Sequence, residues 1–166
     1  MDRPPVYEIK MLVNVTGSNK AVRMLISRAT WWYAEKLMGK RLMSGLEINV
    51  NLLKKSNDEG SCIWEDENRR PKEFTIDIDG RATVRNILIT LAHEMVHLKQ
   101  WAKDEMYEYY NTPMMVRFKG EKMHMGEIDY WDYPWEIEAY GRQLGLFVRF
   151  CEDVGIADRK DMQEIA

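Results

Sequence analysis

An α+β fold follows from three features of the sequence: short segments with alternating apolar residues, two longer segments with apolar residues at helical spacing, and a last helical segment opened by a proline. Together they imply one domain over residues 1–166, with a small, mostly antiparallel sheet packed on an N-terminal helix and a central helix. A C-terminal helix completes the arrangement and presents a glutamate to the central one. Alternating strands cannot bury their apolar faces without such a cover.

In VYEIKMLVNV, Tyr7, Ile9, Met11, Val13 and Val15 occupy every second position, the period of a strand with one buried face. The next segment, Gly17 to Lys40, offers Ser18 or Asn19 as an N-cap and an apolar stripe of Val22, Leu25, Ile26, Ala29, Tyr33 and Leu37, with Gly39 as a stop. Alternation returns through Leu46, Ile48, Val50 and Leu52, and again through Phe74, Ile76 and Ile78. Between these strands SCIWE adds a short one, joined to EFTIDID by the polar turn DENRRPK. From Ala82 to about Lys103 the period becomes helical, with Val84, Leu88, Leu91, Met95, Leu98 and Ala102 on one stripe. Residues Asp104 to Tyr133 read as irregular and aromatic, with a hairpin around Lys119 and Gly120. Pro134 suits the first turn of a last helix reaching about Glu152.

At 166 residues and 45% hydrophobic content, the chain is long enough for one sizeable core and too short to divide comfortably into two. A net charge of -3 gives no support to nucleic-acid binding, which calls for a basic excess or stripe. The short basic run NRRPK is flanked by EDE and reads as a solvated turn. No apolar run approaches a membrane span, and MDRPPVYEIK lacks the charged-then-apolar order of a signal peptide, so the expected location is a cytoplasm. Cys62 and Cys151 stand far apart in apolar surroundings, which suits buried free thiols rather than a disulfide or a zinc ribbon. Most of the 12 methionines are expected in packing, with a peptide-binding surface as the alternative for those in loops.

Chemistry enters at His93-Glu94-Met95-Val96-His97, an H-E-x-x-H pattern. On a helix the i, i+4 spacing brings both imidazoles to one face, where they can grip a zinc ion, and leaves the glutamate beside the open coordination position as a general base. Both histidines lie nearly opposite the Val84–Leu91–Ala102 stripe, so they turn from the core toward a cleft wall flanked by Ile89 and Val96.

Catalytic zinc usually takes three protein ligands and a water. Glu136, Glu138 and His124 are the candidates for the third. On its helix Glu136 shares a face with Ala139, Tyr140, Gln143 and Phe147, next to the apolar residues Ile137, Leu144 and Cys151. Glu138 falls on the far side with Arg142 as its i+4 partner, an order that suits a solvated face. A carboxylate aimed inward is costly unless paired or metal-bound. Glu136 is therefore the favoured ligand, and Glu138 is expected at the surface.

A helix bearing H-E-x-x-H followed by a later helix with a ligand glutamate is similar to the gluzincin branch of zinc metallopeptidases. LAHEMVHLKQWA with PWEIEAYGRQ more specifically resembles the small zincin-like, SprT-like proteins of tailed phages, over residues 74–150 or so. Where gluzincins often carry an aspartate four residues after the ligand glutamate, this chain has Tyr140. The resemblance implies a minimal zincin-like fold, a zinc cofactor, a peptide or unfolded-protein substrate, and the cytoplasm of a host cell if the chain is phage-encoded. It also implies that EFTIDID, the strand before the active helix, is a sheet edge on which an extended peptide lies.

In such a site zinc acidifies a water to a pKa of roughly 7, Glu94 takes its proton, and a metal-polarised peptide carbonyl is attacked. Tyr140, one turn from Glu136, is the favoured donor to the oxyanion or else a phenol that orients His93 or His97; His124, Tyr130 and Tyr133 are loop alternatives. The competing reading is a zinc-binding regulatory or protein-interaction module without catalysis. The intact Glu94 favours the enzyme.

Overall fold

The computed structural model describes residues 10–164. The alternating segments become strands β1 (Leu12–Thr16), β2 (Glu47–Leu53), β3 (Gly60–Trp64) and β4 (Glu73–Asp79), joined in the sheet order β1-β2-β4-β3. Leu46, Ile48, Val50, Leu52, Phe74, Ile76 and Ile78 are all buried, as their period requires. Met11 is buried at the head of β1 and Val13 and Val15 are half-buried, whereas Tyr7 and Ile9 lie outside the described residues.

The expectation of a mostly antiparallel sheet is corrected here. β1 pairs with β2 in parallel and β2 with β4 in parallel; only β3 runs antiparallel, against β4. The reason is connectivity: a long helix joins β1 to β2, and a strand that returns after a helical crossover pairs in parallel. The chain then leaves β2, passes along the outer edge as β3 and turns back inward as β4. EFTIDID is consequently an inner strand, and β3 is the edge beside the central helix.

Helix α1 (Lys20–Met43) starts at Asn19, whose side chain accepts the Val22 N–H at 3.0 Å. Gly39 interrupts the helix with φ 75° but does not end it, since another turn continues to Met43. α2 (Val84–Ala102) starts at Thr83, whose hydroxyl accepts the Asn86 N–H at 3.2 Å. α3 (Pro134–Asp153) opens with Pro134 in its first turn, where a missing N–H costs nothing. α1 and α2 cover one face of the sheet and α3 packs on α2. The other face of the sheet carries polar ladders, Asn14 to Asn49 and Thr16 to Asn51 to Asp77.

Phe150 is fully buried with Tyr33, and the two rings meet at 5.7 Å where α3 reaches α1. Burial of such a ring is worth about 3–5 kcal/mol against alanine. The segment expected to be irregular contains a second, antiparallel sheet of β5 (Met106–Glu108), β6 (Met115–Phe118) and β7 (Glu121–His124). Lys119 and Gly120, both at positive φ, make the expected hairpin turn between β6 and β7. Met106, Val116, Phe118 and Trp135 form a small core beneath this sheet, separate from the main one. Among the described residues no helix is long and apolar enough to cross a membrane.

Candidate metal centre

Helical geometry places the His93 and His97 rings one turn apart on α2, with their Nε2 atoms 3.1 Å from each other. Glu136, in the first turn of α3, sends Oε2 to within 3.2 Å of His93 Nε2 and 3.4 Å of His97 Nε2. The positive end of α3 favours a carboxylate there. Ligands bound at about 2.0–2.1 Å to a tetrahedral zinc lie about 3.3–3.4 Å apart, so these three atoms already have the spacing of one face of a zinc tetrahedron. Among the described residues they form a group able to hold a metal ion.

Hydrogen bonding shows which electron pairs converge. His93 Nδ1 faces Gln143 Oε1 at 2.8 Å and His97 Nδ1 faces Gln100 Oε1 at 2.9 Å. An amide oxygen only accepts, so with these oxygens facing the rings each Nδ1 donates and each Nε2 presents a lone pair; the Gln100 amide is held that way by its own donation to the Trp135 carbonyl and Glu138. Glu136 Oε2 is buried there with no hydrogen-bond donor. Two imine nitrogens and a carboxylate oxygen turned on one another repel unless a cation sits between them. The donor set of two imidazoles and one carboxylate, with room for water, suits catalytic zinc.

A proton is the competing cation. Burial opposes charge on His97, yet Glu136, Gln100 and Glu94 outweigh it and raise its pKa. Burial likewise opposes charge on Glu136, but His93 and His97 beside it hold its carboxyl down at about 2. Glu94, 6% exposed, has a raised pKa because burial outweighs the pull of His97 and His93. A raised carboxyl is the direction a general base needs to accept a proton near neutral pH.

The site lies in a cleft of about 990 Å³ walled by α2, α3 and the edge strand β3. Gly60 at the start of β3 is required by close approach: an added Cβ would stand 2.5 Å from Thr90 Cγ2 and 2.8 Å from Glu94 Oε1. Gly60→Ala should therefore push the Glu94 carboxylate aside while sparing the metal ligands. In a hydrolytic metal site a displacement of this kind costs about 10²-fold in turnover, which comparison of the variant with the wild type at equal metal loading would check. Cys62, the next-but-one residue on β3, lines the same cleft as a neutral thiol, its pKa raised by burial and by Glu94.

The other candidates separate clearly. Glu138 does not join the metal group, and it is not a solvated partner of Arg142 alone: its side chain is 15% exposed and accepts from Lys99, Gln100 and Lys119, with Arg142 at 3.6 Å. Burial would raise the Glu138 carboxyl, but Lys99 and Gln100 hold it at about 2. Ile137 and Leu144, expected on the inward side of α3, are exposed. His124 is away from the group and caps a 3-10 turn, its Nδ1 accepting the Gly126 N–H at 3.2 Å. Tyr140 sets its ring against His93 with centroids 4.6 Å apart, at the cleft wall. The Tyr130 phenol, pKa raised by burial and then by Tyr140 and Glu136, stands beside both. Tyr133 is engaged elsewhere, donating to the Met125 carbonyl at 3.0 Å and stacking on Trp135.

The face of α2 that carries the histidines is turned from the sheet, as its periodicity implies, but α3 covers it, leaving the side chains of His93 and His97 only 11% and 14% exposed. Sequence reasoning missed Gln100 as a partner, although it sits one turn beyond His97, and it noted Gln143 on the face of Glu136 without assigning it a role. It also missed Gly60, which no local pattern marks. No family model, curated protein or solved structure matches the chain.

Proposed function

We propose that the protein is a zinc-dependent peptidase with a zincin-like active site, an endopeptidase acting on extended or unfolded chains. The observation that carries this reading is the convergence of His93 Nε2, His97 Nε2 and Glu136 Oε2 at 3.1–3.4 Å, with the Glu94 carboxylate next to them on the cleft floor. His93, His97 and Glu136 would hold the zinc, which would supply a Lewis acid for a peptide carbonyl and a water acidified toward neutral pH. Glu94 would serve there as the general base, holding a proton taken from water and giving it up to the leaving amine. Tyr140 and Tyr130, whose rings line the cleft, are placed to donate to the developing oxyanion. β3, an edge strand with Gly60, Ser61 and Cys62 in the cleft wall, offers main-chain groups on which an extended substrate can pair.

A second reading, a zinc-held interaction module, is favoured by one observation. Trp131, Ile137, Leu144 and Val148 are exposed on and beside α3, with Trp131 70% exposed. One assay separates the two. Cleavage of a denatured protein should stop on treatment with a chelator and return on addition of zinc; a zinc-loaded protein inactive on a broad peptide library contradicts the peptidase.

A further inference from the structure

The polar network behind His97 is larger than a metal ligand needs for packing. Lys99 is nearly sealed from solvent, with its side chain 4% exposed, and it pairs with Glu138 and, at 2.7 Å, with Glu105. Glu138 also receives Lys119 from the β6–β7 turn at 3.2 Å. Gln100, 1% exposed, lies between this ion cluster and His97. Replacing buried ion pairs by apolar residues is often neutral or stabilising, so such a cluster is weak evidence for a purely structural role.

We propose that Lys99, Glu138 and Gln100 form a relay that holds His97 in the one tautomer able to ligate a metal, which makes Glu138 a positioning residue two links from the site. The proposal rests on reading His93, His97 and Glu136 as a metal centre. The two ends of the Gln100 amide carry the argument. Its Nε2 donates to the Trp135 carbonyl at 3.0 Å and to Glu138 Oε2 at 3.2 Å. Both partners are pure acceptors, so a flipped amide would set its oxygen against two oxygens. Oε1 is thereby committed to His97 Nδ1, which must supply the hydrogen. Nε2 is left bare toward His93 and Glu136.

Without the relay a different arrangement is available. A flipped Gln100 would donate to Nδ1, His97 would carry its hydrogen on Nε2, and that hydrogen would satisfy Glu136 Oε2, the orphaned acceptor. That state is comfortable as a hydrogen-bond network and closed to metal. Lys99 and Lys119 hold the Glu138 carboxylate in place, and its acceptor oxygen at 3.2 Å keeps the amide from turning. His93 has a looser partner: Gln143 is half-buried, and among the described residues its amide has no comparable pair of acceptors. The lock is specific to His97.

The test uses the full chain with 15N-labelled histidine. Long-range 1H–15N spectra of the metal-free protein at mildly alkaline pH assign the hydrogen on His97, and Zn2+ affinity is read by competition with a chromophoric chelator. In the wild type the hydrogen should reside on Nδ1. Gln100→Leu and Glu138→Leu should move it toward Nε2 and weaken Zn2+ binding about 10–100-fold, with the far-UV spectrum unchanged. The conservative Glu138→Gln, whose amide oxygen can still accept from Gln100 Nε2, should keep the hydrogen on Nδ1 and Zn2+ affinity close to the wild type. Wild-type His97 protonated on Nε2 overturns the relay without any variant, as do folded leucine variants with unaltered tautomer and affinity. If the leucine variants do not fold, the wild-type spectrum and Glu138→Gln decide, and a hydrogen on Nε2 in either overturns the relay. Wild type that binds no Zn2+ overturns the metal-centre reading instead, and the His97 spectra still judge the relay.

Discussion

Glu94→Gln should lower peptide hydrolysis by about 10²–10⁴-fold while a full equivalent of zinc stays bound. Glu94 sits about 100° around α2 from His93, close to the ligand group without belonging to it. Its carboxyl is buried, packs against Gly60 and is shifted toward neutral pH. Glutamine reproduces the shape and keeps the contact with β3, so the substitution removes little besides the proton acceptor. Pre-steady-state cleavage of a denatured substrate, with zinc measured on the same sample, separates the chemical step from metal loss. Wild-type turnover in the zinc-loaded variant contradicts the assigned base.

Removing Glu136, the proposed third ligand, should have the other large effect. Glu136→Ala should purify without stoichiometric zinc, because two imidazoles alone on one helix face leave half the coordination sphere to solvent. Glu138→Ala should keep zinc when the metal is in excess, bound more weakly than in the wild type. It should also be less stable, near the low end of about 3–5 kcal/mol for one partner lost from a buried pair, since Glu105 still pairs with Lys99. Metal analysis and denaturant melts on the two variants are the check. Zinc lost from Glu138→Ala and retained in Glu136→Ala reverses the assignment.

What could be read from the sequence depended on how local each feature is. His93, Glu94 and His97 are brought together by one helix, so spacing alone predicted their alignment. Glu136 was separable from Glu138 by angle about the same helix axis, and the structure brings Glu136 together with His93 and His97. The fate of Glu138 was not legible. A helical projection ranks faces by the helix's own residues, and the face it assigned to water is covered by Lys99 of α2 and Lys119 of the second sheet. Ile137 and Leu144 failed for the converse reason: they are apolar, but no element lies over them. Strand direction was equally hidden, because a period of two is the same in parallel and antiparallel pairs. The clue was the α1 crossover between β1 and β2. β5 to β7, of three or four residues each, were too short to show a period; β6 and β7 were legible only through the turn at Lys119 and Gly120, and β5 was not.

The ligand set is tested most directly by zinc K-edge X-ray absorption on the zinc-loaded wild-type protein. A sphere of nitrogen and oxygen donors at about 2.0–2.2 Å is expected, with the outer-shell scattering of two imidazoles, from His93 and His97, and none beyond. Three imidazoles would bring His124 into the site, and a sulfur at about 2.3 Å would bring in Cys62; either result contradicts the centre built from His93, His97 and Glu136.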